Sequence, residues 1–287
     1  METHGRNISY DIPDPELPEV SQWLIGNPNR VNLGRIGLRY QNQTLTADQI
    51  SDTHQELDLW NGVITSTFIA HGSQVKVVTQ GDFDSDAVSF EIESELIKSG
   101  ELTVELDFPY PPIHTEDYKF EVFVGVYDFP ANHTTDIVRG PDKNTVHIWH
   151  KMQQTSYFVN LRWPEKFPLN LEKLEPNNST ALTAHRHILS RDSGRSPPNS
   201  QLTFTAHFSP QECVPDLPAT IRRRNSAGWN DYWRQGGFID LTQSSNPNAT
   251  ELQRRIIASQ YHVRINSAAT GQPPQESGLV NNGWYGK

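Results

Sequence analysis

The amino-acid sequence predicts a mainly β fold that changes to helix towards its C-terminal end. From about residue 31 to residue 208, apolar and polar side chains alternate along short segments, as half-buried strands require. Residues 249–266 instead repeat their apolar side chains with the period of an α-helix. The 20 prolines and 18 glycines indicate frequent turns, so we expect the strands to form a β-sandwich with long polar loops.

Period-two alternation defines the individual strands. Residues 102–108, for example, place Leu102, Val104 and Leu106 on one face of a strand. Strands are predicted at residues 63–69, 75–79, 88–94, 102–108, 120–127, 144–149, 155–163 and 201–208. Because prolines interrupt residues 1–30 and 164–200, we expect an extended lead-in in the first segment and loops in the second.

Two helices are predicted after the last strand. The shorter covers residues 226–235 and ends at Gly236-Gly237. The longer covers residues 249–266 and begins with a capping-box pattern at residues 250–253. The apolar stripe expected to pack against the rest of the protein consists of Leu252, Ile256, Ser259 and Val263. These changes of pattern predict a β-sandwich at residues 1–210, a linker at 211–248 and the start of a helical domain at 249–287.

The charge balance argues against nucleic-acid binding. The chain carries a formal net charge of -10, which repels phosphate backbones. The one basic run, Arg222-Arg223-Arg224, is predicted to lie at the surface and to pair with nearby acids. Cys213 is the single cysteine, so an intrachain disulfide is excluded.

The sequence also predicts neither a membrane span nor a nucleotide cofactor. It contains no run of about 18 apolar residues. The first six residues are polar and lack the apolar core of a secretion signal, so a cytoplasmic location is expected. Neither a Walker loop nor a G-x-G-x-x-G pattern is present. We therefore expect no cofactor.

Two groups of residues match part of a metal-binding pattern, but neither match is complete. Residues 82–86 begin like a calcium loop, but Ala87 stands where that loop requires glycine. A plain turn between strands is the better interpretation. The histidine pairs are candidate zinc ligands that lack a cysteine partner, and we predict no metal site. These pairs are His147 with His150 and His185 with His187.

Aromatic residues concentrate in the last 60 positions, and aromatic faces stack on sugar rings. Trp229 and Trp233 lie four residues apart, so we interpret them as the packed face of a helix. Trp284 and Tyr285 lie in a segment rich in glycine and asparagine and are better candidates for binding sugar. Glu276 is the most interesting carboxylate, either as a group in glycosidic-bond cleavage or as a structural group in a tight turn.

Two sets of motifs resemble the six-hairpin glycosidases, relatives of glycoside hydrolase family 65. The first set lies in residues 57–110 and includes Leu57-Asp58-Leu59-Trp60-Asn61-Gly62-Val63 and Asp107-Phe108-Pro109-Tyr110. The second set comprises Trp229-Asn230-Asp231-Tyr232-Trp233, Gly236-Gly237-Phe238-Ile239-Asp240, Glu251-Leu252-Gln253-Arg254-Arg255, Ser259-Gln260-Tyr261 and Pro273-Pro274-Gln275-Glu276-Ser277-Gly278-Leu279. The resemblance covers most of the chain except residues 164–200, and the order of the motifs makes it specific.

The resemblance implies a β-supersandwich, a helical linker and the first helix of a truncated (α/α)6 barrel. It implies hydrolysis or phosphorolysis of a glycosidic bond with inversion, and a carbohydrate substrate. The residues implied to line the substrate pocket are Glu276, Trp284, Tyr285 and Lys287. The proton-donating glutamate is expected beyond Lys287, so we expect the chain alone to be inactive. Ser277 and Gly283 depart from the family pattern, where threonine and serine are usual.

Two other interpretations remain open at this stage. The chain is alternatively a non-catalytic β-sandwich module that binds carbohydrate or another chain, including a second copy of itself in a homodimer. A third interpretation is a gene product without function. Cooperative folding and saturable sugar binding without cleavage would favour the module.

Overall fold

The computed structural model describes residues 2–7, 15–21, 31–112, 125–127, 129–153, 155–174, 184–195 and 199–267. The chain divides into two compact units. One comprises Met1–Asn32, Pro109–Phe129 and Pro274–Lys287, and the other comprises Leu33–Phe108 and Pro130–Pro273.

The first unit contains a small antiparallel hairpin, formed by β1 (Glu2–Thr3) and β2 (Arg6–Asn7). His4 and Gly5 join them with positive φ angles of 51° and 70°, the backbone of a tight hairpin turn. Residues 18–21 form one helical turn. The prediction of an extended lead-in is therefore wrong at residues 18–21, because Pro18 is compatible with the first position of a helix.

The second unit confirms the mainly β prediction with two antiparallel sheets. Its strands are β3 (Arg35–Tyr40), β4 (Gln43–Thr44), β5 (Ile50–Asp58), β6 (Val63–Ala70), β7 (Ser73–Gly81), β8 (Ala87–Glu93), β9 (Leu102–Asp107), β10 (Thr134–Arg139), β11 (Thr145–Lys151), β12 (Ser156–Arg162), β13 (Leu169–Lys173), β14 (Arg186–Arg191) and β15 (Gln201–Ser209). The eight-stranded sheet has the order β10-β11-β12-β15-β8-β7-β6-β5. The five-stranded sheet has the order β13-β14-β9-β3-β4.

Alternation along the strands places the apolar side chains between the sheets. In β9, Leu102, Val104 and Leu106 are buried and share one face. The ring of Phe108 lies 5.6 Å from His150 in the larger sheet and 5.7 Å from His187 in the smaller one. The two sheets therefore pack face to face in a sandwich-like arrangement.

The loop prediction for residues 164–200 is partly wrong, because β13 and β14 lie within it. Both strands are short and have prolines nearby in the chain, so sequence pattern alone gives them little weight. Their pairing with each other, and that of β14 with β9, provides the missing stabilisation. Of the strand predicted at 120–127, only residues 125–127 are described, and Val126 forms a bridge with Tyr110.

The two longer helices follow the last strand of the sandwich, and two short helices lie between strands. A 3₁₀ turn covers Ala47–Gln49, and α1 covers Glu95–Lys98. The longer helices are α2 (Pro218–Tyr232), which continues as a π-helical turn at Trp233–Gly237, and α3 (Ala249–Ser267). Helix α2 starts eight residues before the predicted start, at 218 instead of 226, because Pro218 occupies the first turn, where its missing N–H costs nothing.

Helix α2 packs across β7, β8 and β15 on the side of the larger sheet away from the core. Its buried residues, Pro218, Ile221, Asn225 and Trp229, recur every three or four positions, as one helix face requires. The helix is thus attached to the sandwich along its length. The functional candidates discussed next lie at its C-terminal end.

The predicted packed stripe of α3 is wrong. Leu252 and Val263 are 52% and 60% exposed, while Tyr261 stacks on Trp229 at 5.2 Å. Gln253 and Gln260 also face the preceding segment and accept hydrogen bonds from it. The predicted capping box at residues 250–253 is not observed either, because the helix already includes Ala249 and the Gln253 side chain accepts from the backbone amide of Leu241.

Candidate functional site

An aromatic cluster joins the sandwich to the helices, and we call it the aromatic junction. It consists of Trp60, Phe83, Trp229, Tyr232, Trp233, Phe238 and Tyr261. Trp60 lies in the turn between β5 and β6, and Phe83 lies between β7 and β8. The remaining members come from α2, the π-helical turn, its following residue and α3.

The β5–β6 turn is shaped by Asp58. Its carboxylate accepts hydrogen bonds from the backbone amides of Trp60 and Asn61 at 2.9 and 3.2 Å, and from the Asn61 side chain at 2.7 Å. Gly62 completes the turn with a φ of 63°. A Cβ atom there would lie 2.0 Å from Nε1 of Trp229, so only glycine lets the turn and α2 approach this closely.

Helix α2 holds this turn through side-chain hydrogen bonds. Asn225 donates to the carbonyl oxygens of Asn61 and Gly62 at 2.7 and 3.2 Å. Ser226 donates to the Asn61 side chain at 2.8 Å. The indole N–H of Trp233 donates to the carbonyl of Leu59 at 2.8 Å. Buried polar atoms that are bonded in this way fix one geometry instead of costing stability.

The buried tryptophans pack as predicted. Trp229 and Trp233 are 6% and 2% exposed, and their rings stack at 5.7 Å. Phe83 meets Trp229 edge-on at 5.8 Å, a favoured aromatic arrangement. Both tryptophans therefore stabilise the junction and leave any ligand contact to its exposed rings.

Two exposed rings border the junction. Trp60 is 39% exposed and Phe238 is 41% exposed, and they meet edge-on at 5.9 Å. The indole N–H of Trp60 donates to Asn230 at 2.7 Å, which fixes the orientation of the ring. Because its polar edge is occupied, Trp60 offers its ring face to solvent or to a ligand.

An ion-pair network anchors the β7–β8 turn below the junction. The guanidinium of Arg224 binds both carboxylate oxygens of Asp82, and it also reaches Asp216 at 2.9 Å. Burial opposes ionisation of Asp82, but hydrogen bonds from Arg224 and Ser85 outweigh it and lower its pKa. The expected plain turn and the expected acid pairing of the basic run are both observed here.

A cleft of about 500 Å³ opens beside this network. Phe83 and Tyr232 are its aromatic lining residues, and the Arg264 guanidinium lies 4.1 Å from the centre of the Phe83 ring. Asp231 and Gln235 supply polar side chains, and both are exposed. The other lining residues are Asp84, Arg224, Ala227 and Gly228. Aromatic rings beside carboxylate, amide and guanidinium groups are the side chains that bind sugar hydroxyls and ring faces.

The four predicted pocket residues cannot be placed in this site. Glu276, Trp284, Tyr285 and Lys287 lie outside the described residues, and their role in substrate binding stays a prediction. The sequence did not point to Phe83, Asp231 or Arg264 as neighbours. Gly228, inside α2, was the available signal, because a Cβ there would lie 2.3 Å from the Phe83 ring and helix glycines often mark such close approaches.

The candidate metal ligands have a different arrangement. His150, His185 and His187 come together with His133 between the two sheets, whereas His147 lies on the opposite face of β11 from His150. Within the described ranges, no group of three or more histidine, cysteine, aspartate or glutamate side chains is arranged to hold a metal ion. In the same ranges, no helix has both the length and the apolar character that crossing a bilayer requires.

Neither a scan against protein-family models nor a search of curated proteins finds a match to this chain. The resemblance to six-hairpin glycosidases therefore rests on the sequence motifs alone.

Proposed function

We propose that the chain is the sandwich-and-linker part of a six-hairpin glycosidase-like enzyme that hydrolyses or phosphorolyses a glycosidic bond. One observation carries this proposal. The motif at residues 57–63 and the motif at 229–240 are separate in sequence, yet Trp60, Trp233 and Phe238 pack together. Two motifs that carry the resemblance and lie far apart in the sequence thus meet in one structural unit, the aromatic junction.

The order of the elements supports the same proposal. The resemblance implies a sandwich, then a linker helix, then a first barrel helix. The chain has sandwich strands up to Ser209, then α2 attached to the sandwich, then α3 with apolar side chains exposed. In this proposal the junction orients α3 relative to the sandwich.

The cleft beside the junction favours a second candidate function, carbohydrate binding without cleavage. All nine lining residues belong to the described part of the chain. Asp231 is exposed, so its carboxylate is available to accept hydrogen bonds from two sugar hydroxyls. Phe83 and Tyr232 provide the apolar surface on which a ring can rest.

Titration of the chain with mono- and disaccharides, followed by tryptophan fluorescence and calorimetry, tests both functions. We expect saturable binding, and we expect Asp231→Asn to weaken it about tenfold, since hydrogen bonds to a charged group contribute about 1.5–3 kcal/mol. Glu212→Gln is the matched control because Glu212 is also exposed but lies outside the cleft. Equal affinity in the wild type and Asp231→Asn would contradict binding in this cleft.

Product analysis then tests whether these residues alone cleave a glycosidic bond. The chain is incubated with each saccharide that it binds, with and without inorganic phosphate, and the released sugars are quantified. Both proposed functions predict binding without release, because neither places the proton donor among these residues. Phosphate-dependent release of a sugar phosphate, or phosphate-independent release of a free sugar, would contradict both and would place the proton donor within the chain.

A further inference from the structure

Four histidines form a buried cluster where the two sheets meet. His133 precedes β10, His150 belongs to β11, His185 precedes β14 and His187 belongs to it. All four side chains are buried, and His150 and His187 are fully so. The rings of His133 and His185 lie 3.7 Å apart, and those of His133 and His150 lie 5.0 Å apart.

A chain of hydrogen bonds runs through two of these rings. His133 Nδ1 lies 2.7 Å from His150 Nε2, and His150 Nδ1 lies 2.8 Å from the Tyr157 hydroxyl. That hydroxyl donates to the carbonyl of Leu33 at 2.8 Å, so His150 Nδ1 must donate its N–H to the hydroxyl oxygen. The Nε2 atom of a neutral His150 is then bare and accepts the bond from the Nδ1–H of His133. Uncharged rings therefore satisfy both contacts.

His187 is the least satisfied member of the cluster. Neither ring nitrogen has a hydrogen-bond partner of ordinary geometry. The ring packs edge-on against Phe108 at 5.7 Å. A proton added to this ring would place a buried charge without a partner, which costs far more free energy than a buried neutral ring.

Among the described residues of β13, β14 and β9, no carboxylate shares the face of His187. The charged group beside the cluster is the Lys173 ammonium of β13, which donates to the Thr135 carbonyl at 2.6 Å. Arg191 shares the face of His187 in β14, and the acids of β9, Glu105 and Asp107, point away from the core. The Thr135 hydroxyl and the Pro130 carbonyl contact His185, and the Tyr157 hydroxyl contacts His150, all without adding a negative charge.

We propose that this histidine cluster makes the sandwich open in mildly acidic surroundings. At neutral pH the four uncharged rings pack the two sheets together, and protonation separates them. The device is independent of the sugar-related function proposed above, because it lies in the inter-sheet core and shares no residue with the cleft. A protein built in this way keeps its fold in a neutral compartment and loses it after transfer to an acidic one.

Burial determines the direction of the effect. Burial, followed by the neighbouring histidines and Lys173, lowers the pKa of His133 to about 3, and burial with a smaller effect of His185 lowers that of His150 to about 4. Burial also lowers the pKa of His187 to about 3 and lowers that of His185. In the unfolded chain each histidine titrates near pH 6.5. Between these values the unfolded chain binds more protons, so stability falls as the pH falls.

Urea unfolding of the full chain between pH 7 and pH 5 tests the proposal. This window lies above the range where most carboxylates titrate. The equilibrium constant for unfolding is expected to rise up to about tenfold per pH unit for each histidine that is neutral when folded and charged when unfolded. His187→Phe keeps an aromatic ring and sacrifices no hydrogen bond. In this variant the equilibrium constant for unfolding should therefore rise about tenfold less per pH unit than in the wild type.

His54→Asn is the matched control, because His54 has a side chain that is 73% exposed, and its slope should equal that of the wild type. If His187→Phe fails to fold, nitrogen NMR of the wild-type rings at pH 5.5 decides instead, since neutral rings support the proposal and charged rings overturn it. Identical slopes for the wild type and a folded His187→Phe would also overturn it. So would a stabilisation by Zn²⁺ that EDTA reverses and that accounts for the loss in acid.

Discussion

The aromatic junction and the histidine cluster both contain buried rings, but they differ in how their polar atoms are satisfied. At the junction, the indole N–H groups of Trp60 and Trp233 and the amide of Asn225 all donate hydrogen bonds. In the cluster, His187 makes none, and His133 and His150 share one bond between two acceptor-capable rings.

The difference shows two ways of using buried polar groups. A satisfied group fixes geometry at little cost, whereas an unsatisfied one costs about 1–3 kcal/mol. The junction therefore provides a unique orientation of α2 on the sandwich. The cluster provides sensitivity to conditions, because a small change in protonation alters its packing energy.

The largest expected effect comes from breaking the junction at Gly62. Gly62→Ala should destabilise the fold by about 3 kcal/mol or more, since overpacking costs about 1–3 kcal/mol and a left-handed non-glycine residue about 1–2 kcal/mol. Chemical denaturation followed by tryptophan fluorescence measures the change. Gly72→Ala is the control, because Gly72 also has a positive φ but its added Cβ meets nothing within 4 Å. A similar loss in both variants would show that Trp229 is not the cause.

A smaller loss is expected when the anchor of the β7–β8 turn is broken. Arg224→Gln leaves the Asp82 carboxylate, whose side chain is fully buried, with its charge unpaired. We expect a destabilisation of about 2 kcal/mol, below the range for fully buried pairs because Arg224 is partly exposed. Arg223→Gln, at an exposed neighbouring position, should change the free energy of unfolding by less than about 0.5 kcal/mol. Equal effects of the two substitutions would refute a structural role for the ion pair.

The smallest change in the free energy of unfolding is expected at Asp107. Its dependence on pH has the opposite sign to that of the histidines. Burial raises its pKa to about 6, with Glu105 adding to the rise and Arg186 opposing it. Its Oδ1 atom has no hydrogen-bond partner. A raised pKa in the folded state means that this group favours folding at low pH, and that its contribution is lost as the pH rises through about 6.

Asp107→Asn should therefore stabilise the protein by about 1 kcal/mol at pH 8 and leave it nearly unchanged at pH 4. Urea midpoints at the two pH values measure this difference. Glu56→Gln, at a side chain that is 74% exposed, serves as the control and should show no such dependence. A loss of stability at pH 8 would mean that the bond with Arg186 outweighs the cost of burying the charge.

Much of the fold could be predicted from the sequence, for a physical reason. Strands such as β9 and β15 place their apolar residues on the face towards the other sheet and their polar residues on the opposite face, so their alternation records the fold directly. Strands β13 and β14 are short, and pairing with their neighbours stabilises them more than their own pattern does. The sequence pattern places the start of α2 at residue 226, because it gives no weight to Pro218 as a first helical position.

The candidate site was less predictable because its contacts are polar or distant in sequence. The packed face of α3 uses Gln253, Gln260 and Tyr261, so hydrophobicity alone selects the wrong stripe. The cleft joins Phe83 to Asp231, which no local pattern reveals. Trp229 and Trp233 were predictable because their spacing of four residues places both on one helix face.

The glycine at position 62 also has a consequence for the newborn chain. The partner that holds its carbonyl, Asn225, lies 163 residues later. At a synthesis rate of roughly 5–20 residues per second, the β5–β6 turn waits about 10 to 30 seconds on the ribosome before its partner emerges. During that interval Leu59 and Trp60 have no helix to cover them. We therefore expect the nascent sandwich to require protection by chaperones until α2 has been made.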